Sequence, residues 1–253
     1  IIDDLMSRPW NSCHDSSYTH IFVASYEDFF IGEPTDIMEG EPWDAPLSPY
    51  FDQTEISWSP NGKYIAYTCK KMKGKDYAVS TNSDIYLYNL MDNSTENITK
   101  GMPGYDKYPV FSPDGSKIAW QSMKTPGYEA DKNRLFTMDL STGKMSDLTK
   151  QFDQNAENLV WADEETIYFI SGVQATYQIY KINTSSSEIE QLTEGVHNYN
   201  SIQVGDGFLA ASKMSMSMAS EIFRVDIESG KDQQLSFINK NIYDHIEMGD
   251  VEE

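Results

Sequence analysis

The chain has 253 residues, 39% hydrophobic and 13% aromatic, with 16 Tyr, 11 Phe and 5 Trp, enough for a sizeable core and unlike a disordered chain. Forty acidic against 19 basic residues give a formal charge of −21, a field that repels phosphate backbones and anionic membrane surfaces and speaks against nucleic acid as a partner. Cys13 and Cys69 are the only cysteines, too few for a disulfide scaffold, and no run approaches the ~18 apolar residues of a membrane span.

In chain order, the opening IIDDLMSRPW has neither the basic start nor the apolar run of an export signal, and no initiator Met, as expected of a piece of a longer protein. Two short strands are expected next, HIFVAS from His20 and PTDIM from Pro34. A connection through Pro42, Pro46 and Pro49 follows.

From residue 56 the sequence repeats. Each unit begins with an inner strand pair: ISWSPNGKYIAY from Ile56, VFSPDGSKIAW from Val110, LVWADEETIYFI from Leu159 and the weaker SIQVGDGFLAAS from Ser201. Asn61-Gly62 and Asp114-Gly115 mark the turns, because Gly accepts a left-handed backbone and Asn or Asp bonds its own main chain. Each unit ends with an outer pair: DIYLYNLMDNSTENIT from Asp84, RLFTMDLSTGKMSDLT from Arg134, QIYKINTSSSEIEQLT from Gln178 and EIFRVDIESGKDQQLS from Glu221. The closing residues Thr99, Thr149, Thr193 and Ser236 stand 50, 44 and 43 positions apart, the length of one four-stranded propeller blade.

The fold class is therefore all-β: a β-propeller of four-stranded antiparallel blades, incomplete, with about four blades and an outer half blade. Residues 18–55 are read as the half blade and its connection, and 56–100, 109–150, 158–194 and 201–236 as blades. Residues 237–253, with NIYDHIEM, are read as the start of another blade or a link to a further domain. Trp58, Phe111 and Trp161 hold equivalent places, as do Tyr67 and Trp120, and are expected to fill the space between blades.

The connections between second and third strands are long, from Cys69, Gln121, Ser171 and Ser212, and long loops on a rigid frame carry recognition. Tyr128, Glu129 and Asp131 set a ring beside two carboxylates, and Asp76-Tyr77 repeats the pairing. Such groups suit an ammonium, through a charge-assisted hydrogen bond and apolar area; the plainer reading is an exposed loop with incidental acids. Met214, Met216 and Met218 alternate with Ser, giving an apolar edge that fits either a partner domain or the adjacent blade.

Covalent hydrolysis by the chain itself is not supported. There is no G-x-S-x-G elbow, and His14, His20, His197 and His245 have no nucleophile signature nearby. No catalytic residue, metal site or cofactor is expected: metal-binding, phosphate-cradling and dinucleotide patterns are absent. Glu164-Glu165 reads as a solvated turn, and the N-x-S/T matches at Asn93, Asn97 and Asn183 are short and common patterns.

The strings SWSPNGKYIAY and FSPDGSKIAW, with their Leu-Thr endings, resemble the propeller repeats of the prolyl oligopeptidase family and of TolB-like proteins. KDYAVSTNSDIYLYNL, MPGYDKYPVFSPDGSKIAWQSM and GYEADKNRLFTMDL extend the resemblance to the dipeptidyl peptidases of its acylaminoacyl-peptidase-like branch. That resemblance implies a propeller that gates peptide access to a separate α/β-hydrolase domain carrying a Ser-Asp-His triad, in an enzyme that removes dipeptides from peptide amino termini. It also implies a bacterial, periplasmic or exported location. Tyr77, Tyr128, Glu129 and Asp131 are then the substrate-binding candidates. The alternative is a TolB-like propeller that binds a protein or peptide without catalysis. Unpaired blade edges could associate, and the oligomeric state is not set by the sequence.

Overall fold

A computed structural model describes residues 15 and 17–249; Cys13 and His14 lie outside them. The chain divides into two compact units between Lys132 and Asn133.

In the first unit β1 (Phe22–Val23) pairs antiparallel with β4 (Thr35–Asp36), and between them β2 (Tyr26–Glu27) and β3 (Phe30–Ile31) form a separate hairpin. The Pro-rich connection contains cis peptides at Ala45-Pro46 and Ser48-Pro49 and ends in a 3-10 turn, Gln53–Glu55, where the Asp52 carboxylate accepts the Thr54 N–H at 2.9 Å. Next come β5 (Ile56–Trp58), β6 (Tyr64–Cys69), α1 (Gly74–Val79), β7 (Asp84–Asn89) and β8 (Thr95–Asn97), with the strands forming one antiparallel sheet in the order β5-β6-β7-β8. The antiparallel pair β9 (Asp106–Phe111) and β10 (Lys117–Ser122) follows.

Alternation along these strands gives two apolar faces, as a sheet stacked on both sides requires. Ile65, Tyr67 and Cys69 of β6 with Tyr86 and Tyr88 of β7 pack against Ile21, Met38 and Ala45 of the preceding segment. Ala66, Thr68, Ile85 and Leu87, on the other face, are also buried, and β9 packs on this sheet.

Tyr67, Phe111, Trp120 and Trp161 are buried, whereas Trp58 is 54% exposed, correcting its expected place in the blade core. Trp58 pairs with Ile65, and Ile56 with Tyr67, on the face that the 18–55 segment covers. The cover reaches Ile56 and the outer strands and stops short of Trp58. Burial thus depends on the neighbouring layer rather than on the position within the repeat.

The second unit starts with the β11 (Arg134–Asp139) and β12 (Met145–Asp147) pair. Two blades follow. The first comprises β13 (Glu157–Trp161), β14 (Thr166–Val173), β15 (Thr176–Asn183) and β16 (Ile189–Gln191); the second comprises β17 (Asn198–Gly205), β18 (Phe208–Ser215), β19 (Met218–Asp226) and β20 (Asp232–Gln234). A single parallel pairing, Tyr177 with Asn198, joins them. Their facing layers bury Tyr168, Ile170 and Ile179 against Tyr199, Ile202, Leu209, Ala211 and Val225.

Two of the expected long connections are instead strand. β14 and β15 run on to a two-residue turn, Gln174-Ala175, with φ of 45° and 62°, and β18 and β19 leave only Met216 and Ser217 between them. Continued pairing satisfies backbone groups that a loop would leave to water. In the segment after β20 the structure has a short helix, α2 (Lys240–Tyr243).

The repeated closing hydroxyl has a physical role. Thr99 Oγ1 accepts the backbone N–H of Ile85 at 3.0 Å, Thr149 that of Leu135 at 2.8 Å, Thr193 that of Ile179 at 2.9 Å, and Ser236 Oγ that of Ile222 at 2.8 Å. In every repeat the hydroxyl meets the third strand where the three-residue fourth strand has already ended. It thereby extends the ladder by one bond without another paired residue.

At the turns Gly62 and Gly115 have φ of 69° and 70°. Asn61 Oδ1 accepts from Ser59 Oγ and Lys63 N, and Asp114 Oδ1 from Ser112 Oγ and Ser116 N.

Candidate functional site

The β6–β7 connection carries α1, and α1 brings Tyr77 back over the end of β6. Lys70 donates from Nζ to the carbonyls of Tyr77, at 2.7 Å, and Ser80, and its ammonium lies 4.3 Å from the Tyr77 ring centroid. Burial holds the Lys70 pKa below its ordinary value, opposed by the negative charge of Glu129. The helix is thus fastened to the sheet by a partly dehydrated cation.

The connection after β10 meets the same place. Gly127 donates to Thr81 Oγ1 at 3.0 Å, its φ is 74°, and a Cβ there would lie a tight 3.0 Å from the Val79 carbonyl, so this approach favours Gly. Asp131 accepts from the backbone N–H groups of Lys124 (3.0 Å), Thr125 (2.6 Å) and Lys132 (2.8 Å). Burial would raise its pKa, but a hydrogen bond from the Thr125 side chain together with these backbone bonds outweighs that effect and keeps it low. Asp131 therefore shapes the loop with its own charge. Tyr128 and Glu129, at the loop tip, are exposed.

The structure thus brings the four sequence candidates to one end of the first unit, in different states: Tyr77 half-buried, Asp131 engaged, Tyr128 and Glu129 open to solvent. A side chain whose bonds are all local recognises nothing else; an exposed ring beside an exposed carboxylate can meet a cationic, partly apolar ligand.

Sequence reading missed a second group in this unit. Glu55 is 3% exposed and accepts the Leu47 N–H at 2.6 Å. Burial pushes its carboxyl up to about 7, Leu47 and Lys107 oppose the shift, and Asp52 adds to it. Burial also raises the pKa of Tyr105, with the charges of Glu55, Tyr108, Asp52 and Glu129 adding to the effect. The Lys107 ammonium lies 4.5 Å from the Tyr105 ring centroid and 5.2 Å from that of Tyr108. Tyr108 has a left-handed φ of 56°, beside an irregularity in the β9–β10 register; such bulges re-aim side chains. Nothing in the local sequence marks these residues.

In the second unit an open cleft of about 780 Å³ is lined by His197, Tyr199, Thr193, Lys231 and Asp232 among others. Tyr199 donates to Asp232 Oδ2 at 2.6 Å, and Lys213 ion-pairs with the same oxygen. His197 meets the Tyr199 ring edge-on at 5.1 Å. Its pKa is lowered by burial and by Lys213, with Asp232 opposing.

His20 pairs with Asp36 at 2.7 Å, as in a triad, but its other nitrogen lies 2.9 Å from the Glu41 carbonyl. With both ring nitrogens occupied it cannot take a proton from a serine. Burial would lower its pKa, and the Asp36 and Glu41 contacts raise it overall. Among the described residues no group of three or more His, Cys, Asp or Glu is placed to hold a metal.

Repeated four-stranded antiparallel sheets, stacked through apolar faces and fastened by the same hydroxyl bond, define a β-propeller protein. The pattern of the TolB β-propeller domain matches residues 54–244, and the chain belongs to that family. It is 41% identical over 247 residues to Dipeptidyl-peptidase 5 of Porphyromonas gingivalis, covering 97% of this chain and 36% of that protein. It is 37% identical over 252 residues to Dipeptidyl-peptidase 5 of Porphyromonas endodontalis, covering 99% and 36%. The chain therefore spans about a third of the length of these relatives. Among solved structures, the acylaminoacyl peptidase of Pyrococcus horikoshii superposes with a TM-score of 0.62 at 17% identity, covering 89% of this chain and 32% of that one. That likeness shows the fold.

Proposed function

We propose that this chain is the non-catalytic propeller part of a serine exopeptidase that removes dipeptides from peptide amino termini. The observation that carries this reading is the 41% identity to a Dipeptidyl-peptidase 5, which spans nearly the whole chain. In this reading a hydrolase domain elsewhere in the polypeptide supplies the Ser-Asp-His triad, and the propeller limits access to it and packs on it. Exposed Glu129 and Tyr128 meet the substrate ammonium and its first side chain, while Asp131 and Tyr77 hold the loops that present them. A bacterial, periplasmic or exported location goes with this proposal.

The test is an assay of the full-length polypeptide on one peptide in free and N-acylated form, before and after Glu129→Gln. The expected result is release of dipeptides from the free form and a preference for it that shrinks about tenfold or more in the variant, as the loss of a charge-assisted contact predicts. No dipeptide release would remove the peptidase reading. An unchanged preference would remove Glu129 alone.

The family match favours a second reading, a TolB-like propeller that binds a protein or peptide without catalysis. The two separate on the sequence beyond residue 253: a Ser-bearing elbow in a strand-turn-helix setting supports the enzyme.

A further inference from the structure

Within the second unit, consecutive blades meet in a groove where the end of one fourth strand faces the turn between the third and fourth strands of the next blade. The groove occurs twice. After β12 it is lined by Leu148, Lys150 and Phe152 and, from the next blade, by Ser187 and Ile189. After β16 it is lined by Leu192, Glu194, His197 and Tyr199 and, from the next blade, by Lys231 and Asp232. The closing hydroxyl bonds to Ile179 and Ile222, with the strand registers, make Phe223 the counterpart of Tyr180, Ala211 of Phe169 and Asp232 of Ile189.

The first groove is plugged by rings. Phe152 meets Phe169 and Tyr180 edge-on at 5.8 and 5.5 Å, and Phe169 stacks on Tyr180 at 5.6 Å, leaving a space of about 380 Å³. In the second groove the Phe169 ring gives way to the Ala211 methyl and Ile189 to the Asp232 carboxylate, and the space grows to about 780 Å³. A gap between packed layers and a half-buried carboxylate at a packing position both cost stability. Sequences depart from their own repeat in this way chiefly where a site is used.

The charges of this cleft are arranged in two sets. Lys213 lies 4.2 Å from the Phe223 ring centroid and ion-pairs with Asp232, whose same oxygen accepts from Tyr199 at 2.6 Å, so these charges offset each other. Glu194, on the β16–β17 connection, and Lys231, on the β19–β20 turn, are exposed and form no ion pair among the described residues. Gly230, with φ of 67°, brings that turn against the connection: a Cβ there would lie 1.9 Å from the Leu192 carbonyl oxygen. An acid and a base thus stand on opposite walls, with the rings of Tyr199 and His197 as apolar surface beside them.

We infer that this cleft binds a small zwitterion, of the kind a free dipeptide is, with its ammonium on Glu194 and its carboxylate on Lys231. A lone anion is repelled by the formal charge of −21 and meets Glu194 and Asp232; a lone cation meets Lys213 and Lys231. A zwitterion carries no net charge and makes a charge-assisted bond to each wall. The space is within the range of about 300–1,000 Å³ that small-molecule sites occupy. The exopeptidase proposed above releases such molecules, but the assignment does not rest on that reading, because His197 reports binding whether or not the polypeptide hydrolyses peptides.

The test follows the His197 imidazole resonance of the full-length polypeptide by NMR, assigned with His197→Gln, during titration with alanyl-alanine, its N-acetyl form, its amide, and acetate. Expected is a saturable shift with alanyl-alanine at a Kd of about 1 mM or below, binding of either blocked form at least about tenfold weaker, and no response to acetate below about 10 mM. Glu194→Gln should bring the free dipeptide down to the affinity of the N-acetyl form, and Lys231→Gln to that of the amide. Both side chains are exposed, so the blades are kept, and an unchanged far-ultraviolet spectrum verifies folding. No saturable shift, blocked forms that bind as well as the free one, an equal response to acetate, or variants that keep the natural sequence's preference overturns the inference.

Discussion

Glu55, the last residue of the 3-10 turn before β5, reaches back to the backbone of Leu47, accepting its N–H at 2.6 Å from a position that water scarcely touches. This bond fastens the Pro-rich connection to the inner strand of the first blade. It also places an acid where ionisation is unfavourable, because burial raises the carboxyl pKa to about 7.

The consequence is a pH-dependent stability of definite sign. The folded chain keeps the Glu55 proton above pH 4.5, where the unfolded chain releases it, so stability falls as pH rises from about 4.5 to 7 and is level above that. The full effect is roughly 3 kcal/mol. In urea unfolding from pH 5 to 8, Glu55→Gln should abolish this component and gain on the natural sequence toward pH 8. Parallel profiles for the two proteins would refute the assignment.

Thr149→Val should cost about 1–3 kcal/mol, because the buried Leu135 N–H loses its acceptor while the shape is kept. Thr149→Ser, retaining the hydroxyl, should cost much less. If chemical denaturation finds Val and Ser equally tolerated, the closing hydroxyl has no energetic role.

Trp58 and Trp120 test whether position in the repeat or the tertiary neighbour decides burial energy. Trp120 is fully buried and donates from Nε1 to Asp106 at 3.1 Å, so Trp120→Phe should cost about 2–4 kcal/mol from lost volume and a lost hydrogen bond. Trp58→Ala, a larger truncation at an exposed site, should cost about 1 kcal/mol or less. Unfolding midpoints in the reverse order would contradict the packing described.

The His197 cluster predicts opposite shifts from two neutralising changes. Removing the Asp232 charge with Asp232→Asn should lower the His197 pKa further, and removing Lys213 with Lys213→Met should raise it. Imidazole resonances followed by NMR titration measure both directly. Two shifts of the same sign would exclude direct coupling.

The sequence by itself determined what is local and periodic: the repeat of 43 to 50 residues, the two-sided apolar strands, the Asn61-Gly62 and Asp114-Gly115 turns and the spacing of Thr99, Thr149, Thr193 and Ser236. These are legible because alternation and turn chemistry act between near neighbours on the chain. It named Tyr77, Tyr128, Glu129 and Asp131 as site candidates, but could not tell that Asp131 is consumed by its own loop while Glu129 faces solvent. Only the tertiary structure decided that Trp58 is exposed while Phe111, its counterpart, is buried, that Glu55 is dehydrated, and that His197 and Tyr199 of one segment meet Lys213 and Asp232 of two others. The reason is that burial and charge depend on which distant layer arrives over a side chain, and a strand pattern specifies the faces of a sheet without specifying what covers them.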